Sequence, residues 1–274
     1  KEQPLGTVAL VGAGPGDPEL LTVKAVRRLE AAEVVLHDNL ISEDVLAMVP
    51  AGAELMNVGK RCGDVKDRGL QQREIHDLML AHSRRGRRVV RLKCGDPFIF
   101  GRGGEELEFL SKHGVPTEVV PGVTSALGAA ASSLLPLTHR DHGATSVRFV
   151  VGQSQARKLP DLDWAEMAQS VGKQTVVFYM GLKTLEGICT RLQEHGVKPE
   201  TPMALVESAT MPNERRIGGT VETMPALAKK HGFGEGGPVV TFLGQTAAFP
   251  EYLEQLSGGR PCKRLRAAPS DDAC

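Results

Sequence analysis

The stretch TVALVGAGPGDPELLTVKAVRRLEAAEVVL, Thr7 to Leu36, decides the class of fold. It opens on the apolar run Thr7 to Val11, which reads as a short buried strand. Gly12-Ala13-Gly14-Pro15-Gly16 then makes a turn that only a glycine-rich chain can take. Asp17 caps a helix with Pro18 in its first position, and Leu21, Ala25 and Leu29 recur at i, i+4 and i+8 with Val26 beside them. The helix runs to about Ala32, and Val34 to Leu36 is the next strand. Strand, glycine turn, helix and strand together form a βαβ unit of a mostly parallel sheet.

The same alternation continues outward. Leu55 to Val58 is a strand, Ile75, Leu78, Met79 and His82 lie on one helix face closed by Gly86, and Arg88 to Leu92 is a strand. Glu118 to Val120 and a small-residue helix, Thr124 to Leu134, complete a five-strand half. A second half restarts at Val147 to Val151 and continues through Thr175 to Tyr179, a helix carrying Leu185, Ile188, Cys189 and Leu192, and strands near Met203 to Val206, Arg215 to Gly218 and Val239 to Leu243. Its adjacent short strands predict a mixed sheet. The expected fold is therefore α/β with two α/β domains: residues 1–143 with a mostly parallel sheet, 144–256 with a mixed one, and a polar, unpatterned tail over 257–274 expected to be flexible.

Bulk properties exclude several classes. In 274 residues, 33 Lys and Arg balance 33 Asp and Glu, so no general basic field exists to draw nucleic acid. The Arg84 to Arg88 basic run reads as a solvated helix end. Apolar runs such as Ala126 to Leu135 fall far short of the roughly 20 residues of a membrane span. Five scattered cysteines without a Cys-x-x-Cys pair point to a reducing compartment rather than a disulfide framework or zinc site. Because the sequence starts at Lys1, a processed N-terminus is expected, with a soluble protein in the cytoplasm, or in the plastid stroma for a photosynthetic source.

Two loops are candidates for the chemistry. Gly12 to Pro18 is not a dinucleotide fingerprint: Asp17 stands where the third glycine belongs and Pro15 removes a backbone N–H. It remains open between a phosphate turn, a loop shaped for another ligand and a plain structural turn. The second loop, Lys93-Cys94-Gly95-Asp96-Pro97-Phe98-Ile99-Phe100-Gly101-Arg102-Gly103-Gly104-Glu105-Glu106, also follows a strand. Asp96 can accept from hydroxyls or an amine, and the planar Arg102 guanidinium suits a carboxylate, or the loop simply starts a helix whose dipole Glu105 and Glu106 favour. His139 and His142 have His-x-x-His spacing, but no third ligand is near, so no metal is expected. Trp164 and Tyr179 read as core.

Val11 to Pro18, Gly59 to Gly63, Arg91 to Glu106, Pro121 to Thr124, Pro136 to Asp141 and Phe178 to Gly181 closely resemble the uroporphyrinogen-III C-methyltransferases, including the methyltransferase half of siroheme synthase. The first glycine turn is common to all tetrapyrrole methyltransferases, the class III methyltransferase fold; GDPFIFGRGGEE and PLTHRD are specific to the uroporphyrinogen enzymes. The resemblance implies a homodimer that methylates uroporphyrinogen III twice with S-adenosylmethionine, through precorrin-1 to precorrin-2, releasing S-adenosylhomocysteine, on the route to siroheme and cobalamin. It places Pro15, Cys94, Gly95, Asp96, Ile99, Thr124, Ser125, Met180 and Ala209 at cofactor positions. Asp38 is then the proton acceptor and Lys60 the proton donor, or the two form a structural ion pair.

Methyl transfer from a sulfonium requires orientation and proton removal but no metal. A substrate bearing eight carboxylates needs local cations, for which Arg102, Arg140 and Arg61 are the candidates, with Glu105 orienting Arg102, moving a proton or starting a helix. The chain departs from the family at Cys94, where glycine is usual, at Asn39, where arginine is usual, and in about two extra residues after Gly63. Competing readings are a methyltransferase for a later corrin intermediate or a diphthine precursor, a non-catalytic binding protein, and a nicotinamide oxidoreductase.

Overall fold

The computed structural model describes residues 4–59, 72–154, 156 and 158–256. Lys60, Arg61, the segment after Gly63 and the 257–274 tail, on which some expectations fall, lie outside the described residues. The chain divides into two compact units. One holds the described residues up to Gly128 together with Ser208–Glu214, and the other holds Ala129–Glu207 and the described residues from Arg215. This division falls earlier than the expected 143/144 boundary and returns a short later segment to the first unit.

The first unit is built on β1 (Val8–Gly12), β2 (Val34–His37), β3 (Glu54–Asn57), β4 (Val89–Lys93) and β5 (Thr117–Val120), in the order β3-β2-β4-β1-β5. Every described pairing in it is parallel. Period-2 alternation sends Ala9, Val11, Val35, Val90 and Leu92 to one face, against α1 (Val23–Glu30) and α2 (Glu43–Leu46). Val8, Leu10, Val34, Leu36 and Val89 go to the other face, against α3 (Gln72–Arg84) and α4 (Gly103–Lys112). Burial of both faces explains why these strands read as continuous apolar runs.

One boundary differs from the sequence expectation. Asp17 does not cap a long helix; its carboxylate accepts from Glu19 N at 2.9 Å and closes a single 3-10 turn over Pro18–Leu20. Leu21 is extended, and Thr22 caps α1 by accepting from Ala25 N at 3.1 Å. A threonine hydroxyl competes well for a first-turn N–H, so the helix restarts there.

The second unit carries the sheet β6-β7-β10-β8-β9, formed by β6 (Ser146–Val151), β7 (Gln174–Tyr179), β8 (Pro202–Glu207), β9 (Arg215–Thr220) and β10 (Val239–Leu243). β6 and β7 are parallel and the other neighbours antiparallel, so the sheet is mixed as expected. Trp164 and Met167 of α6 (Trp164–Ser170), Ile188 and Leu192 of α7 (Leu185–Glu194), and Met224 of α8 (Met224–Lys230) bury against Phe178, Leu205 and Leu243. The division of the chain passes within α5 (Ser125–Ser132), and α9 (Phe249–Leu256) is the last described helix. Among the described residues, no helix is long and apolar enough to cross a membrane.

Candidate functional site

In a parallel sheet, ligands collect beyond the carboxyl ends of strands where neighbouring crossovers leave in opposite directions. β1 and β4 are such neighbours: β1 connects toward β2 on one side, and β4 toward β5 on the other. The two glycine loops leave from these strand ends and are tied together. Ala13 N donates to Lys93 O at 2.8 Å, Gly95 N to Gly14 O at 2.8 Å, and Gly14 N to Gly95 O at 3.2 Å. A Cβ on Gly12 would stand 2.6 Å from Gly122 N and Gly95 O, so three strand ends close to distances only glycine permits.

Asp96 organises this junction. One carboxylate oxygen accepts from Phe98 N at 2.8 Å and the other from Gly122 N at 3.0 Å, which joins the loop after β4 to the loop after β5. Gly95 adopts φ 69°, and a Cβ there would come into ordinary contact, at 3.7 Å, with the backbone of Thr124 and Ser125, so the loop after β4 lies directly against the start of α5. On the other flank, α5 places Gly128 directly against Pro15. Segment 208–214 covers the first turn: Asp17 N donates to Thr210 Oγ1 at 3.2 Å, and Met211 lies against Gly16. Ala209 sits between Ser208 and Thr210, both left-handed at φ 50° and 68°. Left-handed non-glycine residues are costly and concentrate where structure serves a site.

Of the nine expected cofactor positions, Pro15, Cys94, Gly95, Asp96, Ile99, Thr124, Ser125 and Ala209 thus belong to the first unit. Met180 belongs to the second, where it follows β7 at φ 56° and is 48% exposed. Cys94 is partly buried with its thiol pushed up to about 12, first by burial and then by the charge of Asp38. It is therefore a neutral thiol at physiological pH and a poor nucleophile.

Beneath the loop lies a charge cluster that the sequence reading missed. Arg91 and Lys93 alternate with apolar residues in β4 and point to the face covered by α4, where Glu106 joins the buried stripe with Leu110. Glu106 is fully buried, and its Oε1 accepts from Arg91 Nε, Lys93 Nζ and Gln72 Nε2, each at 3.1 Å. The Arg91 guanidinium also donates to Leu36 O at 3.3 Å and Leu92 O at 3.2 Å, and it closes on Asp38. Two carboxylates thus face two cations. Burial opposes the Arg91 charge, but Asp38 and Glu106 outweigh it and hold that group above its ordinary pKa. Burial, reinforced by Arg91, pushes Lys93 below its ordinary value despite Glu106. The available signal was two cations inside an apolar central-strand run, which demand buried counter-charges.

Arg102 caps α4 in a left-handed conformation at φ 59°. Its Nε and one terminal nitrogen donate to Glu105 at 2.9 and 2.7 Å, so Glu105 orients the guanidinium and leaves its outer edge facing away from the pair. Both side chains are exposed, and the pairing holds Arg102 above and Glu105 below their ordinary values. The sequence pair Asp38 and Lys60 cannot be compared, since Lys60 is outside the described residues; Asp38 pairs with Arg91. Arg140, in the second unit, is exposed on the tight turn 139–144, and no ion pair engages it among the described residues.

The basic run after α3 has local partners. Arg87 donates to Glu54 and to Glu33 O, and Arg88 to Ala31 O. In the second unit, buried Glu207 accepts from Arg215 and from Gly234 N and Gly236 N, which anchors the loop before β10.

The fold and its strand-end loops define a two-unit α/β protein whose candidate site lies at a parallel-sheet crossover. The sequence model of the tetrapyrrole (corrin/porphyrin) methylases matches residues 7–225, and the chain belongs to that family. It is 46% identical over 254 residues to a siroheme synthase of Thioalkalivibrio sulfidiphilus, covering 93% of this chain and 50% of that protein. A siroheme synthase of Xylella fastidiosa is also 46% identical, over 248 residues, with 90% and 50% covered. The chain therefore spans about half the length of these curated relatives.

Among solved structures, uroporphyrin-III C-methyltransferase from Thermus thermophilus, in complex with S-adenosylhomocysteine, is 43% identical with a TM-score of 0.74, covering 89% of this chain and 100% of that one. A cobalamin biosynthetic enzyme, cobalt precorrin-4 methyltransferase, has a TM-score of 0.76 at 29% identity, with 88% and 95% covered. Backbone similarity does not separate these two relatives; side-chain identity does.

Proposed function

We propose that the chain catalyses C-methylation of uroporphyrinogen III by S-adenosylmethionine, twice, to precorrin-2 by way of precorrin-1. The observation that carries this reading is 43% identity across the full length of a uroporphyrin-III methyltransferase, against 29% for a precorrin-4 enzyme whose backbone similarity is slightly higher. The residues present fit the cofactor: Gly95 presents bare backbone at φ 69° beside Thr124 and Ser125, and the one charge in the loop there, that of Asp96, is already held by backbone N–H groups. When bound, the cofactor supplies an electrophilic methyl group.

The chain's own groups then orient the reactants and move a proton. Asp38 is the proton acceptor, with its carboxylate direction set by Arg91. Lys60 is the proton donor. Arg102, braced by Glu105, and Arg140 and Arg61 hold carboxylates of the tetrapyrrole. Pro15, Ile99, Met180 and Ala209 complete the cofactor contacts. We assign a homodimer to the active form, which sedimentation of the purified chain tests, and the bacterial relatives support a cytoplasmic setting.

The function is tested by incubating the chain anaerobically with uroporphyrinogen III and methyl-labelled cofactor. Label enters the tetrapyrrole, and Asp38→Asn and Arg102→Ala each reduce turnover by about a hundredfold while S-adenosylhomocysteine binding persists. Absence of label in the wild type, or label only in a later corrin intermediate, overturns the proposal.

A further inference from the structure

The His-x-x-His spacing of the sequence acquires a purpose in the turn that carries Arg140. His139 N donates to Ala144 O at 3.0 Å and Gly143 N donates to Arg140 O at 3.3 Å, with Gly143 at φ 70°, so residues 139–144 form a closed turn with Arg140 near its tip. Inside it, one ring atom, Nδ1 of His139, accepts from both Asp141 N at 3.2 Å and His142 N at 3.3 Å. An imidazole nitrogen that accepts carries no proton, so the neutral ring holds its hydrogen on Nε2. This is the role an Asx or Ser side chain plays in shorter turns, performed here by a larger group.

The ring also fastens the turn to the rest of its unit. His139 packs on Phe249 of α9 with centroids 5.0 Å apart and on His142 at 4.6 Å. His142 in turn lies 5.3 Å from Phe249 and 5.1 Å from Tyr252. The two histidines therefore do separate work: both contribute ring packing, and only His139 supplies the acceptor. Arg140, exposed and flanked by these backbone contacts, has its Cα position set while its guanidinium stays available.

We infer that His139 is a positioning residue for substrate binding: as a neutral Nδ1 acceptor it locks the 139–144 turn and so holds Arg140 ready for a carboxylate of the tetrapyrrole. This rests on the proposed role of Arg140. Pre-ordering a binding group lowers the entropy cost of association without altering the chemical step, so it acts on KM rather than kcat.

The experiment measures steady-state kinetics of the full chain with uroporphyrinogen III for three variants. His139→Phe keeps a ring against Phe249 but lacks an acceptor, and is expected to raise KM about tenfold, near the effect of Arg140→Ala, with kcat and S-adenosylhomocysteine affinity within about twofold of wild type. His139→Asn, whose amide oxygen can accept from the same N–H groups, is expected to bring KM back to within about threefold of wild type. A raised KM in Arg140→Ala with an unchanged KM in His139→Phe overturns the positioning role and leaves the Arg140 assignment standing. An unchanged KM in Arg140→Ala overturns both. An Asn variant as impaired as the Phe variant also overturns the inference, because packing rather than acceptance would then be the cause. Nitrogen-15 shifts of the wild-type His139 ring at neutral pH give a check that needs no variant: a protonated Nδ1 overturns it.

Discussion

Glu106 joins three donors from two elements on one carboxylate oxygen, and through Arg91 it reaches the carboxylate proposed to take the reaction's proton. A buried charge is tolerable only while its counter-charges remain, which makes the consequences of substitution asymmetric. Glu106→Gln leaves Arg91 and Lys93 buried with Asp38 as their nearby carboxylate, and is expected to cost about 3–5 kcal/mol in urea unfolding. Lys93→Met removes one cation, while Glu106 still receives Arg91 and Gln72, and is expected to cost about 1 kcal/mol. The reverse order would show that Lys93 organises the cluster. Residue identities at this scale were legible in the sequence, as with Asp38, Asp96 and Arg102. The partner of Arg102 was legible too, since Glu105 lies three residues on; those of Asp38 and Asp96 were not, because Asp38 and Arg91 are 53 positions apart and Asp96 and Gly122 are 26 apart.

At the scale of elements, α1 and β5 are joined through Glu118, which receives Arg28 and Lys24 from the helix. Hydrogen bonds from Arg28 and then Lys24 hold its carboxyl down to about 2. A carboxylate with a depressed pKa stabilises the fold above the ordinary carboxylate range and loses that contribution as pH falls through its folded value. The stability difference between wild type and Glu118→Gln should therefore be constant above about pH 5 and shrink to zero toward about pH 2, as urea titrations across that range would show. Because the pair is partly exposed, the plateau is expected to be about 1 kcal/mol or less. Elements themselves followed from periodicity: β10 matches the expected Val239 to Leu243, and β2, β4 and β6 fall within a residue or two of expectation. The start of α1 did not, because Asp17 and Thr22 both offer first-turn acceptors and local sequence does not rank them.

Across the whole molecule, the return of Ser208–Glu214 to the first unit means that no single cut of the chain yields either unit intact. A fragment of residues 1–143 lacks Thr210 and Met211, and so exposes Gly16 and leaves Asp17 N without its acceptor. It is expected to melt below the full chain by scanning calorimetry and to bind S-adenosylhomocysteine at least about tenfold more weakly, since it also lacks Ala209 and Met180. A fragment equal to the full chain in both respects would show that the first unit is self-sufficient.

The sequence by itself determined the two α/β halves, the strands, the glycine loops and the family resemblance, because periodicity, turn chemistry and motif spacing are local properties of the chain. Tertiary structure alone decided which distant charges meet. Strand order places β2 beside β4, so that Asp38 reaches Arg91, and the return of segment 208–214 to the first unit brings Thr210 to Asp17 across 193 positions. It also showed that His139 serves a turn through a single ring nitrogen. Such pairings depend on long-range chain closure, which composition and spacing do not encode in any one segment.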